Sequence, residues 1–323
     1  MLLVAALAGT TFLSITLGAR DIALADVLTA LGSWGQDSIE STVTLEVRVP
    51  RTIVGLLAGA ALGLSGALLQ GVTRNPLADP GIMGINAGAA VGVVTAITFL
   101  GVSGVSTYIW FAFAGAALAT LLVYVIGSIG RDGATPIKLA LAGAAVTAGL
   151  MSYTTAMMMT HDESLNALRF WQVGSLAGRY EPVVSAVAPF ILVGIVVALA
   201  CGRWLNGLAL GEDTARSLGM RVAHTRLALF GIVALLCGAA TAACGPIVFV
   251  GLAVPHLARL ACGPDYRWVL PYSLVLSPLI LLLADIVGRV SAGDGEVQVG
   301  VVLGILGAPF FIGLVRYGRL AEL

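Results

Sequence analysis

Charged residues in this chain fall in clusters, and long uncharged runs separate them. Counting Asp, Glu, Lys and Arg, the longer runs cover 1–19, 52–73, 80–130, 139–161, 182–202, 227–258, 268–284 and 297–315. A helix rising about 1.5 Å per residue needs about 20 residues to cross about 30 Å of hydrocarbon. Six of the runs fit one crossing each. The run 80–130 holds two helices, with Gly101, Ser103 and Gly104 as a turn between them. The run 227–258 is interrupted at Gly245-Pro246, where proline removes a backbone donor and clashes with the preceding turn. It reads as one full helix and a shorter one. The pattern predicts an all-α polytopic membrane protein with about ten spans, at 1–17, 51–71, 82–100, 107–127, 137–159, 183–202, 226–244, 248–262, 268–288 and 299–316. Composition agrees: 11% of residues are charged and mean hydropathy is +1.00, whereas a soluble domain carries about 25% charged residues.

Basic residues set the orientation. Ten spans put both termini on one side. If that side is the cytoplasm, Arg20, Arg48, Arg51, Arg169, Arg179 and Arg289 lie outside, and the other eleven of the 17 basic residues lie inside. This excess satisfies the positive-inside rule, so both termini are expected in the cytoplasm. The apolar opening stretch 1–17 has no charged n-region and reads as a first span, not a signal peptide. The chain is expected to form a single transmembrane permease-like domain over 1–323.

Three connections stand out. An outer loop at 18–50 carries Asp21, Asp26, Asp37, Glu40 and Glu46 beside Arg20 and Arg48. A second, at 160–182, contains Phe170, Trp171 and Tyr180, enough for a short surface helix. The inner segment 203–225 contains GEDTARSLGM at 211–220. Its acids, Glu212 and Asp213, precede Arg216, an order that suits a helix macrodipole, and glycines bound it. A short cytoplasmic helix is expected there. In the second span Gly55, Gly59, Gly63 and Gly66 form a small-residue stripe that allows close helix approach.

The chemistry that is missing is equally informative. The only lysine, Lys138, follows Pro136-Ile137, so no G-x-x-x-x-G-K-[ST] loop is present to hold a nucleotide's phosphates. Energy from ATP would have to come from another polypeptide. His161, His224 and His256 are isolated, and Cys201, Cys237, Cys244 and Cys262 lack metal-ligand spacing. Gly63-Leu64-Ser65-Gly66 has the form of an intramembrane serine-protease motif, yet the same residues serve the small-residue stripe. Asp285 is an ionisable group inside a span, a functional pointer by default. Arg289, four residues on, shares its helix face and is expected to pair with it.

Three stretches together resemble the FecCD-type permease family of importers for ferric siderophores, heme or vitamin B12. RVPRTIVGLLAGAALGLSGALLQGVTRNPLADPGIMGINAGAAVG at 48–92 is similar to the family's R-x-P-R, G-A-x-L-x-x-S-G and N-P-L-A-x-P segments. GEDTARSLGM at 211–220 resembles its cytoplasmic G-x-x-x-A-x-x-L-G segment. GPIVFVGLAVPHLAR at 245–259, LLLADIVGR and VGVVLGILGAPFF complete the series in family order. Met83 stands where leucine is usual, and the leader before the first span is short.

The resemblance implies the permease fold of a type II, BtuC-like ABC importer in the cytoplasmic (inner) membrane of a bacterium. It implies docking of an extracytoplasmic substrate-binding protein at Arg48, Arg51 and Arg289. It also implies a coupling helix seated on ABC ATPase subunits through Glu212, Asp213, Arg216, Leu218 and Gly219. A second permease subunit, identical or paralogous, would complete the path. No cofactor is expected in this chain; ATP and magnesium would bind the partner ATPases. Membrane lipid is an expected partner and nucleic acid is not. Met151, Tyr153, Met157 and Met158, adaptable side chains of the fifth span, are candidates for the translocation path, with plain core packing as the alternative. A ferric siderophore is the expected cargo, heme and cobalamin being open. A secondary transporter working without ATP is the rival from another class; it gives the inner loop no partner.

Overall fold

The computed structural model describes residues 1–18, 20–32, 38–102, 104–130, 135–291 and 295–317. Asp37, Ser103, Arg131 and Arg319 of the sequence reading lie outside them. Among the described residues every regular element is helical. Ten apolar helices fall where the uncharged runs place them: α1 (Leu2–Thr16), α2 (Val49–Thr73), α3 (Ile85–Leu100), α4 (Val105–Ser128), α5 (Pro136–Thr160), α6 (Glu181–Ala200), α7 (Val222–Cys244), α8 (Val250–Cys262), α9 (Tyr266–Val290) and α10 (Val299–Tyr317). Six of them (α2, α4, α5, α6, α7 and α9) are long and apolar enough to cross a membrane. The other four are shorter apolar helices.

α2 is the axis of the bundle. It is the most buried of the long helices, and α7 is next. The predicted glycine stripe explains how α2 can be so enclosed. Gly55, Gly59 and Gly63 face Leu282, Pro278 and Ser277 of α9, while Gly66 lies on the backbone of Gly251 in α8. A side chain at any of the four would meet these neighbours below ordinary contact distance. The Ser277 hydroxyl donates to the Gly59 carbonyl across the α2–α9 interface. A second close approach, Gly88 and Gly92 of α3 against Gly115 and Phe111 of α4, was not singled out in the sequence.

Polar side chains tie the bundle together at both ends of α2. At one end Arg48 and Arg51 meet the C-terminus of α1 and the last turns of α9. At the other the Gln70 amide donates to the Leu252 carbonyl at 3.2 Å, and its oxygen accepts from Arg259 Nη2 at 2.6 Å. Arg51 and Gln70 are about 28 Å apart along the helix at about 1.5 Å per residue, close to the hydrocarbon thickness. Between them the α2 core is apolar and small. The end of α1, the start of α2 and the end of α9 thus share one end of the bundle, as alternate crossing requires.

The break at Gly245-Pro246 is present. α7 ends at Cys244, Gly245 has φ +75°, and α8 begins at Val250 after Phe249, which holds φ +70°. Such a backbone is rare for a bulky side chain; the phenylalanine packs on Gly307 of α10.

The connections are more structured than charge spacing suggests. α2 does not start at the membrane edge: helix runs continuously through Ile39–Thr73, including a π-helical turn over Val43–Arg48. Pro50 explains the widened turn, since its ring cannot sit under the Glu46 carbonyl at α-helical spacing. Charges ended the apolar run but did not end the helix. The second outer loop contains the expected helix, Asp162–Trp171, with Leu168 and Trp171 buried. The inner segment holds two helices, Gly202–Ala209 and Glu212–Ser217; only the second was expected. The first is clipped to the start of α9 by Asn206, whose amide donates to Asp265 at 2.6 Å and whose oxygen accepts the Tyr266 N–H at 2.9 Å. The Asn206 amide and the Arg267 backbone N–H hold the Asp265 carboxyl below the usual carboxylate range.

Candidate functional site

Two of the three arginines expected at the outer mouth, Arg51 and Arg289, converge on one carboxylate. Asp285 is fully buried. Arg51 donates through Nε to its Oδ2 at 3.1 Å and through Nη2 to its Oδ1 at 2.8 Å, and Arg289 Nε lies 3.1 Å from the same Oδ2. The Asp285–Arg289 pair read from the four-residue spacing is therefore present. Its second cation, 234 positions away, was not legible. Arg51 turns its remaining edge to Glu296, 2.8 Å from Nη1, whose side chain is one-third exposed.

Arg48 and Arg289 close the end of α1. This helix finishes at Leu17 in extended backbone, without a glycine C-cap, so its last carbonyls need external donors. Arg289 Nη1 donates to the carbonyls of Ser14 at 2.9 Å and Leu17 at 2.8 Å, and Nη2 to the Ser14 hydroxyl. Arg48 donates to the carbonyls of Ile15, Thr16 and Arg20. Arg48, Arg51 and Arg289 are thus brought together, but as buried groups, 4%, 6% and 2% exposed. Placement at helix ends was readable; their engagement by carbonyls of another helix was not. Of the three, Arg51 is the one that pairs with a partly exposed carboxylate, Glu296.

At the opposite end the polar segment 211–220 presents itself to solvent. Its helix is bounded by Gly211 (φ +101°) and Gly219 (φ +83°), conformations that favour glycine. Ala215 is buried beneath it, whereas Asp213, Arg216, Leu218 and Gly219 are exposed. Glu212 accepts from Arg216 Nη2 at 2.6 Å and lies 3.3 Å from Arg226 of α7. Leu218 is 69% exposed, an apolar side chain standing out of a polar segment.

α5 supplies a third feature. It is both the least buried and the least apolar of the six long helices, the reverse of what a lipid-facing helix needs. Its exposed face mixes Ala144, Ala148, Ser152, Thr155 and Thr160 with Ile137, Leu141, Met151 and Met159, whereas the exposed face of α6 carries Leu192, Val193 and Val196. A groove of about 530 Å³ lies along the outer half of α5, lined by Met151, Thr155, Met158, Met159, Asp162 and Gln172 among others. Met151 and Met158 of the four path candidates line it. Tyr153 and Met157 are partly buried against the core, and the Tyr153 hydroxyl is 3.2 Å from Thr95 Oγ1. Met159 was missed; its alternation with threonines along one helix face is the signal that marks it.

Ser65 and three of the four cysteines stay in the core, whereas His161 and His224 are exposed. Ser65 is fully buried and donates to the Leu62 carbonyl of its own helix, so it serves packing. The four cysteines are free, three of them buried.

Comparison with known proteins points one way. A profile of the FecCD transport family matches residues 5–317. The ferric enterobactin transport system permease protein FepD of Escherichia coli (strain K12) is 45% identical over 306 residues, covering 95% of this chain and 91% of the relative. The cobalamin import system permease protein BtuC of Halobacterium salinarum is 39% identical, over 88% of this chain and 76% of the relative. A solved metal-chelate type ABC transporter in an inward-facing conformation superposes with a TM-score of 0.82 at 28% identity, covering 97% of both chains.

Proposed function

The chain belongs to the FecCD transport family, and we propose that it is the membrane-spanning permease subunit of an ATP-driven importer of an iron chelate. Its relatives in iron transport favour a ferric siderophore as cargo; the cobalamin relative keeps that substrate as the second reading. The chain sits in the bacterial cytoplasmic membrane with all ten apolar helices as spans and both termini inside. A second permease subunit packs beside it, with the exposed face of α5 turned to the shared path. Small and hydroxyl-bearing side chains there tolerate a bulky polar cargo, which the aliphatic face of α6 would not.

Alternating access needs no covalent chemistry from this chain. A substrate-binding protein docks at the outer mouth around Arg51 and Glu296, while Arg48 and Arg289 support that surface from within by fixing α1. The observation that carries the energy coupling is the solvent-facing segment 211–220 with its exposed Leu218. An ATPase can bias the permease only through contacts that differ between its states, and this segment is where such contacts fit. Glu212, Asp213, Arg216, Leu218 and Gly219 form the seat.

Leu218→Asp tests it. An exposed side chain contributes little to the fold, so the variant is expected to reach the membrane in normal amounts. It is also expected to lose most of the ATPase that copurifies with the wild type. Full retention of the ATPase by the variant would remove this segment from the coupling role.

A further inference from the structure

The short helix Glu212–Ser217 is joined to α7 through a turn at residues 218–221. Gly219 stands in it at φ +83°, with nothing within 4 Å of where a side chain would be, and Arg221 precedes the first turn of α7 in non-helical backbone. Two backbone hydrogen bonds close the turn at Gly219, from its own N–H to the Arg216 carbonyl at 2.9 Å and from the Met220 N–H to the Ala215 carbonyl at 3.0 Å. One side-chain bridge spans this joint. Glu212 uses both carboxylate oxygens: Oε1 accepts from Arg216 of its own helix at 2.6 Å, and Oε2 lies 3.3 Å from Arg226 Nη2 in α7. Arg226 is well placed to be a stiff anchor, since its side chain is only 12% exposed. The ion pair adds a direct side-chain tie between the short helix and α7 to the backbone hydrogen bonds that close the turn.

α7 is the right helix to receive a push. It is among the most buried of the long helices, and it ends at the Gly245-Pro246 break, from which the exposed Val248 projects. We propose that Glu212–Arg226 is the strut that carries motion of the cytoplasmic helix into α7, with Arg226 acting as a positioning residue through Glu212. This rests on the reading of 211–220 as the ATPase seat and adds to it the route taken inside the permease.

The test uses the whole complex with its ATPase subunits in proteoliposomes, in a background lacking the four native cysteines and carrying Val248→Cys. A membrane-impermeant maleimide reports the exposure of that cysteine, before and after trapping with ATP and vanadate. With Arg226 intact, trapping is expected to change the labelling rate by about fivefold, at the low end of ordinary coupling factors. Arg226→Gln is expected to abolish this change while ATP hydrolysis continues; Arg226→Lys, which keeps the charge, is expected to restore most of it. Arg221→Gln, an exposed neighbour, should behave as wild type. A labelling change that survives Arg226→Gln, or none even with Arg226 intact, overturns the strut. Failure of the ATPase to remain bound to the unmutated complex overturns the underlying coupling reading instead.

Discussion

Asp285→Ala is expected to be the most damaging single substitution among those considered, costing about 3–5 kcal/mol of stability, because it removes one partner from a buried ion cluster. Arg51 and Arg289 both rely on that carboxylate, and both are almost wholly buried. Without it two guanidinium groups stay in the interior with Glu296, the Ser14 hydroxyl and backbone carbonyls as their remaining partners. Asp285→Asn keeps the shape and loses the charge, so its cost should approach that of the alanine variant. Replacing all three residues together by apolar side chains should recover only part of the loss, since the α1 carbonyls of Ser14 and Leu17 would then lose the donor that Arg289 supplies. Thermal unfolding of the purified protein in one detergent reads the series. Near-wild-type stability of Asp285→Ala would mean that the cluster is solvated and the arginines are free to serve elsewhere.

The second large effect is expected at Gly66. A Cβ there would sit inside the van der Waals envelope of the Gly251 carbonyl, and that atom is backbone, unable to swing aside. α2 and α8 would have to separate, which disrupts the Gln70–Arg259 hydrogen bond one turn further along. Gly66→Ala is expected to cost about 1–3 kcal/mol, the usual penalty for overpacking a tight core. Gly231→Ala is the matched control: it lies in α7 with nothing within 4 Å of the new atom, and should gain about 0.5–1 kcal/mol from helix propensity. Opposite shifts in unfolding temperature are therefore expected from one chemical change in two neighbouring helices. Equal shifts would show that close approach is not what holds Gly66.

These two sites also illustrate what the sequence could and could not disclose. Helix positions were legible because hydrocarbon excludes charge, so the gaps between charges mark apolar helices within a few residues. The stripe Gly55–Gly59–Gly63–Gly66 was legible because spacing on one helix is local. Asp285–Arg289 was legible for the same reason. Arg51 as the second cation was not, since nothing local links positions 51 and 285. The burial of Arg48 and Arg289 depended on α1 ending without a glycine cap, so that its carbonyls recruit donors from other helices. Charge also misled at 39–48, where a helix continues past the apolar run as a π turn ahead of Pro50. The helix at Gly202–Ala209 was hidden by the same rule, being polar on one face while Leu205 and Leu208 are buried. Segment 211–220 was readable as a helix from its acids, base and bounding glycines; an outward Leu218 was implied by the family resemblance and not by the local pattern.

The central claim is that this chain transports an iron chelate using energy supplied by a separate ATPase. The direct measurement is uptake of radiolabelled ferric enterobactin, other ferric siderophores and cobalamin by proteoliposomes holding the permease, with its ATPase and binding protein each supplied or omitted. The account predicts that a ferric chelate accumulates only when both partners and hydrolysable ATP are present, and that an ion gradient has no effect. Accumulation by the permease alone, driven by a proton or sodium gradient, would contradict it.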